Sequence, residues 1–189
     1  MLAYPSSEDP DSRAWFALQV KCRYEKFIAN LVLQKGFEVF APTYSAEPKQ
    51  RIHKQELELP LFPGYVFARF EAIRRLPILT TPGVYAIVGY GKTPVAIPDG
   101  EVLAIRNAMA AQMKVEPCPY LNVGTAVRIT RGALINREGI LLENRSGCYV
   151  VLSVSTIERS VRVHVRREDV TPLEKQPVFI ASRLNYQAS

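Results

Sequence analysis

Enzymes need nucleophiles, bases or metal ligands at working spacing, and the sequence groups few of them. Cys22, Cys118 and Cys148 lie far apart and none forms a CxxC pair. They read as reduced thiols, with neither a disulfide framework nor a zinc site. His53 and His164 stand too far from the cysteines to suggest a zinc finger. Asp99 and Glu101 resemble an acid/base pair, but a helix starting at Asp99 explains both, as N-cap and first-turn charge. There is no P-loop, no GxGxxG after a strand, no HExxH and no nucleophile elbow. The expectation is a protein that is not an enzyme, has no metal or cofactor, and works by contact.

Contact chemistry leaves charge and aromatics as the informative residues. The 189 residues are 48% hydrophobic and 22% charged, an ordinary globular balance. A formal charge of +6 and a pI near 9.3 invite a nucleic-acid reading. The basic excess is spread thinly, however, and counterion release needs many phosphate contacts on one face. Nucleic acid is therefore expected as a secondary contact, with most affinity coming from protein surface. No apolar run of spanning length occurs, and Met1 to Ser12 is polar and acidic, unlike a secretory signal. A cytoplasmic monomer without membrane contact is expected.

The elements that position these residues follow from pattern. "WFALQV" (15–20) reads as a strand, and Tyr24 to Lys35 as a helix with Tyr24, Phe27, Ile28, Leu31 and Val32 on one stripe, closed by Gly36. "FEVFAPTYSA" is a second strand stopped by Pro48. The basic stretch Lys49, Arg51, His53, Lys54 is a hairpin loop. "LELPLFPGYVFARF" returns as strand, its prolines confining it to an edge or a bulged start. Glu71 to Thr80 is helix-like but interrupted by Pro77. "GVYAIVGY" is a strand, and Val102, Ile105, Met109 and Met113 mark a helix face. The order predicts an α+β sandwich, an antiparallel sheet with helices packed on it, over residues 13–113. Residues 114–122, with two prolines and no amphipathic pattern, read as a linker. Short strands over 123–174 predict a small barrel, and 1–12 and 175–189 read as loose ends.

At "WFALQV", "LFPGYVFARF" and "TPGVYAIVGYGKTPVAIPDGEV" the sequence resembles the NusG family, including its paralogue RfaH and the antiterminators of polysaccharide operons. Gly124, Val127, Arg128, Gly132, Gly139 and Ile140 resemble the KOW motif. The likeness runs over about residues 13–173. It implies a polymerase-binding N-terminal domain, NGN-like, joined flexibly to a five-stranded SH3-like barrel. It also implies a transcription elongation factor that suppresses pausing and termination without covalent chemistry. The N-terminal domain would dock on the clamp helices of RNA polymerase and bridge to the opposite lobe. The barrel would recruit a further factor, a termination helicase or a small-subunit ribosomal protein.

By resemblance, Phe16, Tyr65, Phe67, Ile87 and Tyr90 line the polymerase-facing depression, the alternative being that they are core. In the strand from Tyr65, Tyr65 and Phe67 share one face while Phe62, Val66 and Ala68 take the other. Arg74 and Arg75 sit where the family touches the opposite lobe, and Lys21 and Arg23 where the non-template DNA strand comes within reach. Ile157 takes the barrel-tip position where housekeeping members carry an aromatic, with Arg159 and Arg162 beside it. For each of these cations the alternative is a solvated surface charge. A ribosome-associated RNA-binding KOW protein is the rival reading, and it calls for a denser basic surface.

Overall fold

A computed structural model describes residues 13–46, 57–118, 120, 124–144 and 147–173. The expected loose ends and the basic loop at Lys49, Arg51, His53 and Lys54 lie outside those residues. The chain divides into two compact units, Met1–Arg106 with Val154–Arg159, and Asn107–Ser153 with Ser160–Ser189.

The first unit is built on a four-stranded antiparallel sheet in the order β2-β5-β1-β6. Its strands are β1 (Ala14–Val20), β2 (Glu38–Phe40), β5 (Tyr65–Phe70) and β6 (Val84–Ile87). β1 is central and pairs with β5 from Ala14↔Phe70 to Gln19↔Tyr65. Helix α1 (Glu25–Gln34) covers one face, burying Ile28, Ala29 and Val32 against Phe16, Leu18, Val66, Ala68 and Phe70. Its C-terminus is closed by Gly36, whose positive φ suits glycine and whose N–H donates to Leu33 O at 2.9 Å. On the other face, Trp15 and Phe40 lie under the Arg106 guanidinium, at 4.9 and 5.3 Å from their ring centres. Arg106 belongs to α3 (Asp99–Ala110) and is held by Glu38 at 2.7 Å.

Several elements are shorter than the sequence suggests. The second predicted strand breaks at Ala41 and Pro42 into β2 and β3 (Thr43–Ala46), which forms a hairpin with β4 (Leu57–Pro60). Glu71–Thr80 becomes a 3-10 turn at Ala72–Arg74 and a four-residue helix, α2 (Leu76–Leu79), that begins where Pro77 is tolerated. "GVYAIVGY" becomes β6 and β7 (Gly89–Tyr90), the latter paired with β8 (Thr93–Pro94). α3 ends at Ala110, so Met113 falls beyond its expected face, and Asp99 is its first helical residue rather than its cap.

The second unit is a six-stranded sheet in the order β14-β10-β11-β12-β13-β9. Its strands are β9 (Val115–Cys118), β10 (Thr125–Ile129), β11 (Glu138–Asn144), β12 (Gly147–Val154), β13 (Arg159–Val165) and β14 (Val170–Pro172). Val127, Ile129, Val150, Val151, Val161 and Val163 are buried in its core. Gly139 sits where a Cβ would meet Val150 Cγ1 at 2.5 Å and Val151 O at 2.6 Å, so no larger residue fits without displacement. Residues 115–118 correct the expected linker. They pair with β13, Val115↔Val163 through Cys118↔Ser160, giving six strands where five were predicted. Glu116 fixes this pairing through Arg162, at 2.7 Å. Prolines that look like linker composition are compatible with an edge strand.

Candidate functional site

The expected polymerase-facing set splits in the structure. Phe16 is core: it is buried under α1 and packs against Phe70 with ring centres 4.6 Å apart. Phe67 is 1% exposed, in contact with Phe62 at 5.2 Å and Phe40 at 6.2 Å. Both phenylalanines are therefore corrected from docking residues to packing residues. Phe62 joins the Phe67 side because the turn before β5 interrupts strand alternation. Ile87 lies opposite Leu18 and packs on the α1-side core. What stays accessible is Tyr65, half-buried, and Tyr90, 84% exposed on the β7–β8 hairpin. Register sets Tyr65, Gln19 and Ala86 side by side across β5, β1 and β6, and Gln19 is exposed. Tyr65 and Ala86 are half-buried in this row. Sequence reading passed over the exposed Tyr85 of β6 and the exposed Ile73 and Leu76 beside Arg74 and Arg75.

The cations divide as well. Lys21, Arg23, Arg74 and Arg75 are exposed and have no ion-pair partner among the described residues. Lys21 Nζ sits 4.4 Å from the centre of the Tyr24 ring. Arg23 adopts a positive φ of 69° in the β1–α1 turn, which Tyr24 N closes by donating to Lys21 O at 3.1 Å. Arg159 is exposed, but Arg162, in the second unit, is committed to Glu116 and stacks over Tyr149 at 4.9 Å. Burial alone would push the Glu116 carboxyl up, yet Arg162 and Lys114 outweigh it and hold it below the usual carboxylate range. Ile157, expected at a partner-binding tip, is 8% exposed.

One residue that positions the site carries no obvious signal in the sequence. Glu25, 5% exposed, turns inward at the start of α1 and accepts a hydrogen bond from Gly64 N at 2.8 Å. Gly64 holds a φ of +80° in the turn before Tyr65, and its carbonyl accepts from Val20 N at 2.8 Å. Glu25 thus ties the first turn of α1 to the bend that launches Tyr65. Burial pushes the Cys118 thiol up to about 11, against the opposing effect of Arg162, so it stays protonated at neutral pH. Among the described residues no group of three His, Cys, Asp or Glu could hold a metal, and no helix is long and apolar enough to cross a membrane.

The first unit thus leaves Tyr65 and Tyr90 accessible, and Lys21, Arg23, Arg74 and Arg75 without an ion-pair partner among the described residues. Residues 13–106 match the NusG family, described as transcription termination factor nusG. The chain is a NusG-type factor, and that family consists of transcription factors rather than enzymes. Its fold is similar to a solved structure concerning domain interaction in Thermotoga maritima NusG, with TM-score 0.55 and 21% identity over 86% of this chain and 98% of that one. Two crystal structures of the MjSpt4:Spt5 complex, conformations B and A, align over 85% and 86% of this chain and 97% and 99% of theirs. Their identities are 16% and 17%, with TM-scores of 0.28 and 0.27.

Proposed function

We propose that this chain is an elongation factor that binds RNA polymerase through its first unit and suppresses pausing and termination. The observation that carries the reading is the row of Tyr65, Gln19 and Ala86, accessible at Gln19 and in part at Tyr65, with the exposed Tyr90, on the part of the chain that matches NusG. Tyrosines bury large area with few rotors and are favoured interface anchors. The anchors are Tyr65 and Tyr90, docked on the clamp helices, with Arg74 and Arg75 directed to the opposite lobe. A bridged clamp opens less readily, which lowers pausing. Lys21 and Arg23 guide the non-template strand once polymerase presents it.

The second unit is proposed as a KOW-type SH3-like barrel that recruits a further factor, a small-subunit ribosomal protein or a termination factor. Support comes from Gly124, Val127, Arg128, Gly132, Gly139 and Ile140 on and around β10 and β11, and from the space that only Gly139 fits. Arg159 is the accessible cation of the expected partner surface. The protein acts as a cytoplasmic monomer. Tyr65→Ala and Tyr90→Ala are each expected to weaken polymerase binding by about 1–3 kcal/mol, read by competition on purified polymerase. Unchanged affinity in both variants would move the docking face elsewhere on the unit.

A further inference from the structure

Strand β6 departs from regular pairing at one point. Ala86 lies opposite Gln19 and Val84 opposite Val20, so Tyr85 is the extra residue of a β-bulge. Val84 and Ile87 both pack on the α1-side core, where strict alternation would put them on opposite faces. The bulge takes Tyr85 off that side and sets it beside Ala86, against Gln19, on the face that also holds Tyr65. Its ring is left 65% exposed. β6 is an outer strand of its sheet, and a bulge there discourages unwanted pairing. Edge protection is better served by a charged side chain, however, and Val84–Ile87 has none. A large ring turned to water at that point serves contact instead.

We propose that Tyr85 is a third docking anchor of the first unit, and that the polymerase element seated against it is a single α-helix. The proposal rests on the reading that Tyr65 and Tyr90 bind the polymerase clamp, and it adds the residue that fixes the far margin of that contact. Tyr65 on β5 and Tyr85 on β6 stand on either side of β1. Two strand spacings separate them, about 10 Å, which is the width of one α-helix. Between them Gln19 is exposed and Ala86 is half-buried, so the row carries one amide and no charge. That composition suits an apolar helix face, and each tyrosine hydroxyl can stay hydrated or donate to the partner while its ring is buried. Tyr90 is held in place by the backbone. A Cβ on Gly89 would meet Thr93 O at 2.1 Å and Pro94 Cα at 2.8 Å, so the β7–β8 hairpin closes only on glycine. Bulge and hairpin thus hold both exposed tyrosines ready before a partner arrives, which lowers the ordering cost of binding.

The full chain and its variants compete with labelled wild-type chain for purified polymerase. Tyr85→Ala should bind roughly five- to hundredfold more weakly, and Tyr85→Phe should stay close to wild type. Urea unfolding followed by Trp15 fluorescence should be unchanged in both, because the ring is exposed. Leu33→Ala, at an exposed site on α1 over the opposite face, should bind as wild type does. A benzoylphenylalanine introduced at position 85 should photocrosslink to a clamp helix. Wild-type affinity of Tyr85→Ala overturns the proposal, and it leaves the elongation-factor reading standing if Tyr65→Ala is weakened. A loss of stability that accounts for the loss of affinity also overturns it, since the ring would then be structural. So does crosslinking to a second copy of this chain or to a non-helical segment of polymerase. A wild-type chain that does not bind polymerase refutes both the proposal and the reading beneath it.

Discussion

Glu25→Ala separates a buried structural carboxylate from an ordinary first-turn charge. In the native unit the carboxylate accepts from Gly64 N at 2.8 Å, and both residues are buried. Removing the acceptor leaves a buried N–H unsatisfied, at a cost of about 1–3 kcal/mol. Losing a negative charge in the first turn of α1 adds about 0.3–1 kcal/mol. Alanine also removes the cost of burying the carboxylate, so the net loss is expected near 2 kcal/mol rather than at the sum of the upper limits. Glu25→Gln keeps an acceptor oxygen and should cost about half as much or less. Trp15 is the single tryptophan of the chain and is buried in the first unit, so its fluorescence during urea unfolding reports that unit. Hydrogen exchange at the Gly64 amide checks the local bond, and its protection should fall in Glu25→Ala beyond the loss in global stability. A Glu25→Ala protein within about 0.5 kcal/mol of wild type, the usual effect of a surface substitution, with Gly64 still protected, would refute the reasoning. Equal losses in the alanine and glutamine variants would show that charge, not the acceptor, is what matters.

Phe67→Ala should cost roughly 3–5 kcal/mol in the same Trp15-monitored unfolding, as expected of a fully buried ring, and should spoil polymerase binding only by unfolding the unit. Gly139→Ala should destabilise the second unit by about 1–3 kcal/mol, because its Cβ lands on Val150 and on the Val151 carbonyl; calorimetry that finds it neutral would mean β11 and β12 can part there. Glu116→Gln tests the attachment of β9 through pH. The folded carboxyl lies below its ordinary value, so the stability it contributes is present above the unfolded pKa and fades as pH falls through the folded one. The wild-type advantage over Glu116→Gln should therefore be constant near neutrality and vanish in acid, and an advantage that grows on acidification would contradict the sign.

What the sequence discloses depends on how local the governing contact is. β1, α1 and β5 are legible because each carries its own period, and the shared face of Tyr65 and Phe67 follows from alternation alone. Which of the two would be covered is not local. Phe67 is buried by Phe62 and Phe40, residues before and far from its own strand, whereas Tyr65 lies beside an exposed glutamine. Phe16 fails as a docking residue for the same reason, since β1 directs it at α1 and Phe70. The segment Val115–Cys118 was illegible because four residues with a proline have no period to read. Its strand character comes from β13 and from the Arg162–Glu116 pair, 46 residues apart in the chain. Glu25 looks like any helical acid until the backbone of Gly64 is placed next to it.

The outermost strands of the six-stranded sheet share a property with consequences for crowding. β9 contains Pro117, opposite Val161, and β14 ends on Pro172, opposite Val127. A proline nitrogen has no hydrogen to give, so each margin of the sheet lacks a donor at one rung. A visiting strand from another copy would find the ladder interrupted on either side, which is how natural sheets discourage edge-to-edge growth. Exchanging Pro117 or Pro172 for valine would restore the missing donor at that margin and with it a longer ladder for a visiting strand.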